Sequence, residues 1–460
     1  MVTIILTYCY TIVTIGLLYF FLKKSLVSKF SLRNSILWWL LFGCIFNLYS
    51  FTWLYTAYPL IWLPEGLTQL VGIFIVHLIL ALVASLGFSV VGWFMLLKSN
   101  QVWKPFLFAT SLTLAEMIRS FLLSLLYKDE NSTLGFHYTS STLGNALSTT
   151  PFIEFAYFGG VFSLTFVLGY FVYSCMSKNH IALYFKHVLV FIGLLLVTHF
   201  YIPTYGPLYP VKVGIITTNF KTVPDSELAQ AFKVQGKTLH AMTLSLRDSK
   251  PSIIVYPEDA RYIEHISEEQ RQMLSKRFPK TLFIDGSTNT FRGKLVNVSL
   301  FYFAETKKIL ARGKSFLLPF NEFIPIFFRP IFSLFIPQED MEVYVKNHTY
   351  TPINSQKTIS FNGIQIATLL CSEIFSHKVI ESVRKENPSL VFFQSHLNVF
   401  HDNPLVMAMI FSSTKIAAAQ LRRPLISSTN GAPSLIVSPH GKIITIIPTG
   451  FSTFTYLFSK

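Results

Sequence analysis

Ala367-Thr368-Leu369-Leu370-Cys371-Ser372-Glu373 is the stretch on which the reading of this chain turns. An apolar run ends in a thiol and a carboxylate, the pattern of a buried strand that delivers reactive groups to the loop at its end. Two upstream patterns carry complementary groups: Val255-Tyr256-Pro257-Glu258 and Gly313-Lys314-Ser315-Phe316-Leu317-Leu318-Pro319-Phe320-Asn321-Glu322. A carboxylate, an ammonium and a thiol are the parts needed to make and use a covalent thioester.

Around these patterns, residues 203–460 alternate β-branched runs with helical stretches. Strands are expected at Val211–Thr217, Ser252–Tyr256, Thr281–Asp285, Val298–Phe303, Ile364–Leu370, Leu390–Gln394, Pro424–Ser428 and Ser434–Ser438. Helices are expected at Ser226–Arg247, Glu268–Phe278, Ser376–Lys385 and Leu405–Gln420. The alternation predicts a layered α/β domain, with Glu258 and Cys371 both at strand ends.

The rest of the chain is of another kind. Of 460 residues, 51% are hydrophobic and 13% charged, with a mean hydropathy of +0.48. Soluble domains carry about 25% charged residues. Residues 1–202 hold 10 Lys+Arg and 5 Asp+Glu, and residues 203–460 hold 28 and 18. A membrane part therefore precedes a soluble domain of net charge +10. Such charge suits anionic headgroups when clustered and is solvated surface when scattered, and here it is scattered.

A spanning helix needs about 20 apolar residues. Six segments qualify: Val2–Leu22, Ile36–Tyr58, Leu67–Leu97, Pro105–Tyr127, Pro151–Met176 and Ile181–Ile202, the third long enough to be tilted or broken near Gly87. Lys23, Lys24, Lys29 and Arg33 follow the first segment, Lys98 and Lys104 the third, and Lys178 and Lys186 lie between the fifth and the start of the sixth. The loop holding Glu65 has no Lys or Arg, and Lys128 is offset by Asp129 and Glu130. Basic loops mark the cytoplasmic side, so the amino terminus and everything after Ile202 are expected outside. No basic stretch precedes the first apolar run, so a retained helix is expected there rather than a cleaved signal peptide. Ile443–Phe458 is short and interrupted by Pro448, and no spanning helix is expected there.

Glu116 and Arg119 share a face of the fourth segment. Charges in a span pair with one another or face a cavity, so this pair either locks the bundle or contacts a headgroup at the mouth of a lipid cleft. The Phe-rich stretch from Phe323 to Phe335 is too short and proline-broken to span. It either packs on its own domain or forms a lid that dips into the membrane through Phe327, Phe328, Phe332 and Phe335. Cys371 stands alone in the soluble part, so no disulfide is expected there. There is no CxxC and no HExxH, and the His residues are scattered, so neither a metal nor another cofactor is expected, nor a nucleic-acid partner.

Tyr256-Pro257-Glu258, Lys314 ahead of Glu322, and Cys371-Ser372-Glu373 resemble the Glu–Lys–Cys signature of the nitrilase (carbon–nitrogen hydrolase) superfamily. Pro319-Phe320-Asn321-Glu322-Phe323-Ile324-Pro325 and Gln420-Leu421-Arg422-Arg423-Pro424-Leu425-Ile426-Ser427-Ser428-Thr429-Asn430-Gly431 resemble segments of the apolipoprotein N-acyltransferases. So do Ala115-Glu116-Met117-Ile118-Arg119, Gly135-Phe136 and Phe158-Gly159-Gly160-Val161-Phe162-Ser163-Leu164 in the membrane half. The resemblance implies a multi-pass helical bundle, residues 1–202, fused to an extracytoplasmic nitrilase-like αββα sandwich, residues 203–460. It implies transfer of an acyl chain from a phospholipid, phosphatidylethanolamine being the expected donor, to the amine of a diacylglyceryl-cysteine apolipoprotein. A monomer in the bacterial inner membrane is expected, its catalytic domain on the periplasmic side.

Ser372 stands where the acyltransferases often have Tyr, and Gln394-Ser395-His396-Leu397-Asn398-Val399-Phe400 lacks their usual Trp. Six segments precede the domain where that family usually has seven. The alternative is a membrane-tethered amidase, or an acyltransferase with another amine acceptor. A free thiol titrates near pH 8.5 and needs help at neutral pH. Glu258 is expected to accept its proton, Lys314 to stabilise thiolate and oxyanion, and the Ser372 N–H to add an oxyanion donor. Glu322 and Glu373 are expected to orient Lys314 and the acceptor amine, and Glu322 matches the superfamily's supporting residue.

Overall fold

The structure, a computed structural model, describes residues 2–28, 30–56, 66–97, 102–130, 132–176, 181–204, 206–207, 209–221, 228–291, 293–401 and 403–458. Lys29, residues 57–58, Glu65, Lys98, Lys178 and Ser226 lie outside them, as does the side chain of Lys186.

The membrane part consists of α1 (Val2–Val27), α2 (Leu32–Ser50), α3 (Leu67–Ser85), α4 (Ser89–Phe94), α5 (Lys104–Leu126), α6 (Ala156–Met176) and α7 (Ile181–Tyr201). Short 3-10 turns extend α2 at Thr52–Thr56, join α3 to α4 at Leu86–Phe88, and lead into α6 at Pro151–Phe155. The expected break near Gly87 is that middle turn. By length and composition, five of these N-terminal segments can cross a membrane, and the described side chains of α7 continue the pattern over Leu189–Tyr201. Their outward faces are apolar, as at Ile12, Leu37, Phe74 and Leu82. A helix apolar on both faces is what a bilayer requires.

In the second part the helices are α8 (Leu228–Ser245), α9 (Tyr262–His265), α10 (Glu268–Arg277), α11 (Arg329–Phe332), α12 (Gln338–His348), α13 (His377–Lys385) and α14 (Pro404–Leu421). The strands are β1 (Val211–Thr217), β2 (Ile253–Val255), β3 (Leu282–Phe291), β4 (Lys294–Phe303), β5 (Lys308–Gly313), β6 (Thr358–Phe361), β7 (Ile364–Leu370), β8 (Leu390–His396), β9 (Leu425–Asn430), β10 (Ser434–Val437), β11 (Ile443–Ile447) and β12 (Ser452–Phe458). Among the described residues they form two six-stranded sheets, β12-β1-β2-β3-β4-β5 and β11-β10-β9-β8-β7-β6. Each sheet has a parallel centre, β1-β2-β3 or β7-β8-β9, flanked by antiparallel strands. Ile443–Phe458 is no helix: it supplies an edge strand to each sheet.

Side-chain alternation builds the layers. Val213, Ile215, Ile253, Val255, Leu282 and Ile284 meet Ile366, Leu390, Phe392 and Ile426 between the sheets. Their neighbours Ile216, Ile254 and Phe283 turn outward under α8, α9 and α10. Ala367, Leu369, Val391 and Phe393 do so under α13 and α14. The result is an αββα sandwich fused to the helical bundle. Each fully buried aliphatic or aromatic side chain contributes about 1.5–3 kcal/mol.

The helix α14 also has the length and hydropathy of a span. Its apolar surface is covered instead by two neighbours. Val406, Ile410, Phe411 and Leu421 join the sheet-side core, and Ile416 and Ala419 join the core of the bundle. Gly160, with φ +59°, lets the start of α6 approach this helix: a Cβ there would lie 2.5 Å from Gln420 Oε1. Around the same seam, the Thr139 hydroxyl donates to Phe375 O at 2.6 Å and Arg384 Nη1 donates to Tyr157 O at 2.9 Å.

Candidate active site

Three strand ends bring the expected groups together. Glu258 follows β2, where the neighbouring strand must pass very close: a Cβ on Gly286 would meet Glu258 Cα at 2.5 Å. Lys314 follows β5, its N–H donating to Asn297 O of β4 at 2.7 Å. Cys371 directly follows β7 in a left-handed conformation, φ +37°, and opens a 3-10 turn over Cys371–Phe375. For a non-glycine residue that conformation is strained, and it turns the thiol out of the strand.

Lys314 Nζ donates to Glu258 Oε1 at 3.0 Å and to Glu322 Oε1 at 2.9 Å. The other Glu258 oxygen accepts the His396 N–H at 3.2 Å. Glu322 is fixed in turn by the Leu318 N–H at 2.6 Å and by a short hydrogen bond from Asn297 Nδ2. Lys314 is 1% exposed and Glu322 5%, so these are buried charges. All border one cavity of about 590 Å³ whose lining also includes Cys371, Asp259, Tyr350 and His396.

The electrostatics follow from burial and an excess of carboxylate. Burial pushes the Glu258 carboxyl up to about 7, and Glu322 and Asp259 add to that against the opposing pull of Lys314. Burial likewise raises the Cys371 thiol, reinforced by Glu258, which lies within hydrogen-bonding reach of it. Burial alone would lower Lys314, but Glu258 and Glu322 hold its ammonium well above the usual lysine range. At neutral pH the site thus has a protonated thiol, a fixed cation, and a carboxylate poised to take a proton.

Not every expected side chain lines this cavity. Ser372 is fully buried and its hydroxyl donates to Phe316 O at 2.7 Å. Glu373, expected to orient Lys314 or the amine, lies elsewhere. It pairs with Lys357 Nζ at 2.6 Å and accepts from the Ser315 N–H at 2.7 Å and the Leu370 N–H at 3.0 Å. Burial would raise this carboxyl, yet Lys357 and the backbone donors hold it below the ordinary range. It braces the Lys314 loop against the Cys371 turn, and no local sequence pattern joins Lys357 to it. Asn297 was equally hidden, since a polar residue within a strand carries no signal of its target.

A second cavity, of about 620 Å³, lies beside the first at the seam with the bundle. Phe51, Trp53, Leu123, Tyr127 and Tyr138 wall it from one side, and Phe316, Phe320, Ser372 and Phe375 from the other. Leu318 borders both cavities.

The Phe-rich stretch packs on the bundle as well as on its own domain, and three of the four rings expected in a lid are covered there. Phe328 and Phe332 are buried in a core shared with Leu54, Val76, Leu80 and Leu123 of the bundle, with Phe335 packed against it. The stretch is tied down by Arg329 Nη2 to Asp129 Oδ1 at 3.0 Å. Phe327, by contrast, is 49% exposed, beside Ile326 and near Leu334. Glu116 and Arg119 pair at 3.4 Å, both fully buried. The Leu143 N–H donates to Glu116, and Arg119 Nε donates to Asn47 Oδ1 at 2.7 Å, so the pair ties helices together away from any surface. Outside the lining of either cavity, His199 and His440 each contact Glu154 Oε1, at 3.0 and 2.8 Å, a grouping able to ligate a metal. The Arg422 guanidinium already occupies that cluster, within hydrogen-bonding distance of Glu154 and His440.

An αββα sandwich with a Glu–Lys–Cys cluster at its strand ends, fused to a helical bundle, defines the class. No family model matches the chain. It is 27% identical over 327 residues to a protein named Apolipoprotein N-acyltransferase from Vibrio vulnificus (strain CMCP6), over 66% of this chain and 61% of that one. The matched stretch thus spans about three fifths of that relative. Among solved structures, an amidase of the nitrilase superfamily from Nesterenkonia AN1 aligns at TM-score 0.38 and 10% identity over 55% of this chain and 92% of its own. A CN-hydrolase superfamily protein from Xanthomonas campestris aligns at TM-score 0.38 and 9% identity over 55% and 91%.

Proposed function

We propose that this chain transfers an acyl chain from a phospholipid to the N-terminal amine of a diacylglyceryl-cysteine apolipoprotein, through a thioester on Cys371. The carrying observation is the juxtaposition of two cavities, one holding Glu258, Lys314 and Cys371, the other apolar and walled by the bundle. A soluble amide needs no apolar chamber next to the nucleophile, whereas an acyl chain does. The same observation disfavours the tethered amidase.

Glu258 takes the thiol proton and the thiolate attacks the donor ester. Lys314 stabilises the oxyanion, and Glu258 returns the proton to the departing lysophospholipid. The amine then attacks the thioester in a second half-reaction, which makes the scheme ping-pong. The relative's printed name and the apolar helices support this reading, with residues 1–202 as the membrane part and 203–460 as the catalytic part. Phosphatidylethanolamine is the proposed donor, and the proposed setting is a monomer in the bacterial inner membrane with its sandwich on the periplasmic side.

The test is mass spectrometry of the detergent-purified chain after incubation with phosphatidylethanolamine and no acceptor. A fatty-acyl mass on the Cys371 peptide, absent from Cys371→Ala, is expected. An unmodified Cys371 in protein that still hydrolyses small amides would sink the proposal in favour of the amidase.

A further inference from the structure

The cavity carries one carboxylate that the thioester chemistry leaves unused. Asp259 directly follows Glu258 and lines the same cavity. Its side chain is 34% exposed, against 11% for Glu258 and 5% for Glu322, which puts it nearest the solvent-facing mouth. One of its oxygens, Oδ1, is held by Arg261 Nε at 2.5 Å. The other, Oδ2, faces His396 Nδ1 at 3.9 Å, too far for a hydrogen bond. Burial lowers the His396 imidazole below its usual range, so that ring is neutral and brings no cation to Oδ2.

Asp259 is not a stray surface charge. Arg261 Nη2 donates onward to Thr288 Oγ1 at 3.0 Å, and Thr288 Oγ1 to Asn297 Oδ1 at 3.3 Å. Asn297 then donates to Glu322, the partner of Lys314. One polar chain therefore fixes both Asp259 and the cation beside the nucleophile. Along it, Glu258, Asp259 and Glu322 stand against Lys314 and Arg261. With Glu258 ionised, the cavity keeps an uncompensated negative charge, which favours an incoming cation and disfavours an anion.

We propose that Asp259 is the residue that selects a cationic amine as the acyl acceptor, its Oδ2 receiving the ammonium one residue from the base that deprotonates it. This rests on the thioester reading above. The acceptor arrives as an ammonium against Asp259 and gives one proton to Glu258. The neutral amine attacks the thioester carbonyl, so a C–N bond forms as the C–S bond breaks. The departing thiolate takes the second nitrogen-bound proton and restores the thiol, and Glu258 releases its proton to solvent. No oxidant, reductant or co-reactant is needed.

The test uses the full-length chain in detergent, first acylated at Cys371 from phosphatidylethanolamine and then freed of donor. Consumption of the preformed thioester is followed near pH 7 with two nucleophiles: a diacylglyceryl-cysteine peptide, whose α-amine is mostly protonated there, and hydroxylamine, which is neutral. Working on the preformed thioester keeps any change in the first step out of the comparison. The ratio of peptide to hydroxylamine reactivity is expected to fall about tenfold in Asp259→Asn, the scale of a hydrogen bond to a charged group. Asp259→Glu is expected to retain most of the ratio. Should Asp259→Asn fail to fold, Asp259→Ser removes the same charge with a smaller side chain. An unchanged ratio would overturn the proposal, and so would equal slowing of both nucleophiles, which a merely structural role predicts. Absence of the Cys371 thioester in the unsubstituted chain would refute the underlying acyltransfer reading instead.

Discussion

Two clusters of buried charge in this molecule use the same side chains to opposite ends. In the bundle, Glu116 and Arg119 are balanced one to one, and their polar atoms reach Leu143, Asn47 and Ser140. In the sandwich, one Lys314 serves two carboxylates, and all three side chains border an open cavity with a thiol in it. Burial and ion pairing are common to both. What separates them is stoichiometry and space. Burial drives Glu258 up to about 7, the second carboxylate Glu322 adds to that against the pull of Lys314, and adjoining volume gives that proton acceptor something to act on. The balanced, enclosed pair has nothing to react with and serves as a joint.

That contrast breaks first at Glu258. Glu258→Gln is isosteric and leaves Lys314 with Glu322, so the fold should persist while thioester formation falls about 10²- to 10⁴-fold, the usual range for a lost general base. In the unsubstituted chain the active form of Glu258 is the carboxylate, whose pKa is raised. Thioester formation should therefore be constant above about pH 7 and fall tenfold for each unit below it. A pH–rate profile flat down to pH 5 would remove Glu258 as the base.

The bundle pair should respond through stability instead. Arg119→Met leaves Glu116 buried and unpaired and is expected to cost about 3–5 kcal/mol, read as a lowered thermal midpoint in detergent. Adding Glu116→Leu should recover much of that loss, because the second change removes the stranded charge. Activity per folded molecule should hardly move. A specific loss of acyl transfer in the folded single variant would give the pair a role in lipid handling.

A smaller effect separates two adjacent aromatic residues. Phe328 lies fully buried in the core shared with the bundle, whereas Phe327 beside it is 49% exposed. Phe328→Ala should cost about 3 kcal/mol through lost burial and a residual cavity, and Phe327→Ala within about 0.5 kcal/mol. Equal stabilities would mean that the Phe-rich stretch does not dock on the bundle as described.

How much could be read in advance depended on what each segment buries. The central strands β1, β2, β7, β8 and β9 are covered on both faces, so they appear as unbroken apolar runs, and their positions were legible within a few residues. The edge strands β5, β6, β11 and β12 were not legible. One side of each is open, their burial is partial, and short half-polar runs look like loops. The same logic explains α14, whose even apolarity reflects burial between sheet and bundle rather than lipid.

By itself the sequence determined a membrane-type half, a layered α/β half, and Glu258, Lys314, Glu322 and Cys371 as a set. Local chemistry is written in residue order: apolar length, strand periodicity, and reactive groups at strand ends. Only the tertiary structure decided which of these meet. It put Glu373 on Lys357 instead of in the cavity, buried Phe328 but not Phe327, and added Asn297 and Asp259 to the surroundings of Lys314. Those outcomes depend on contacts between residues far apart in the chain, where desolvation and the count of opposing charges, set by packing, determine what each side chain does.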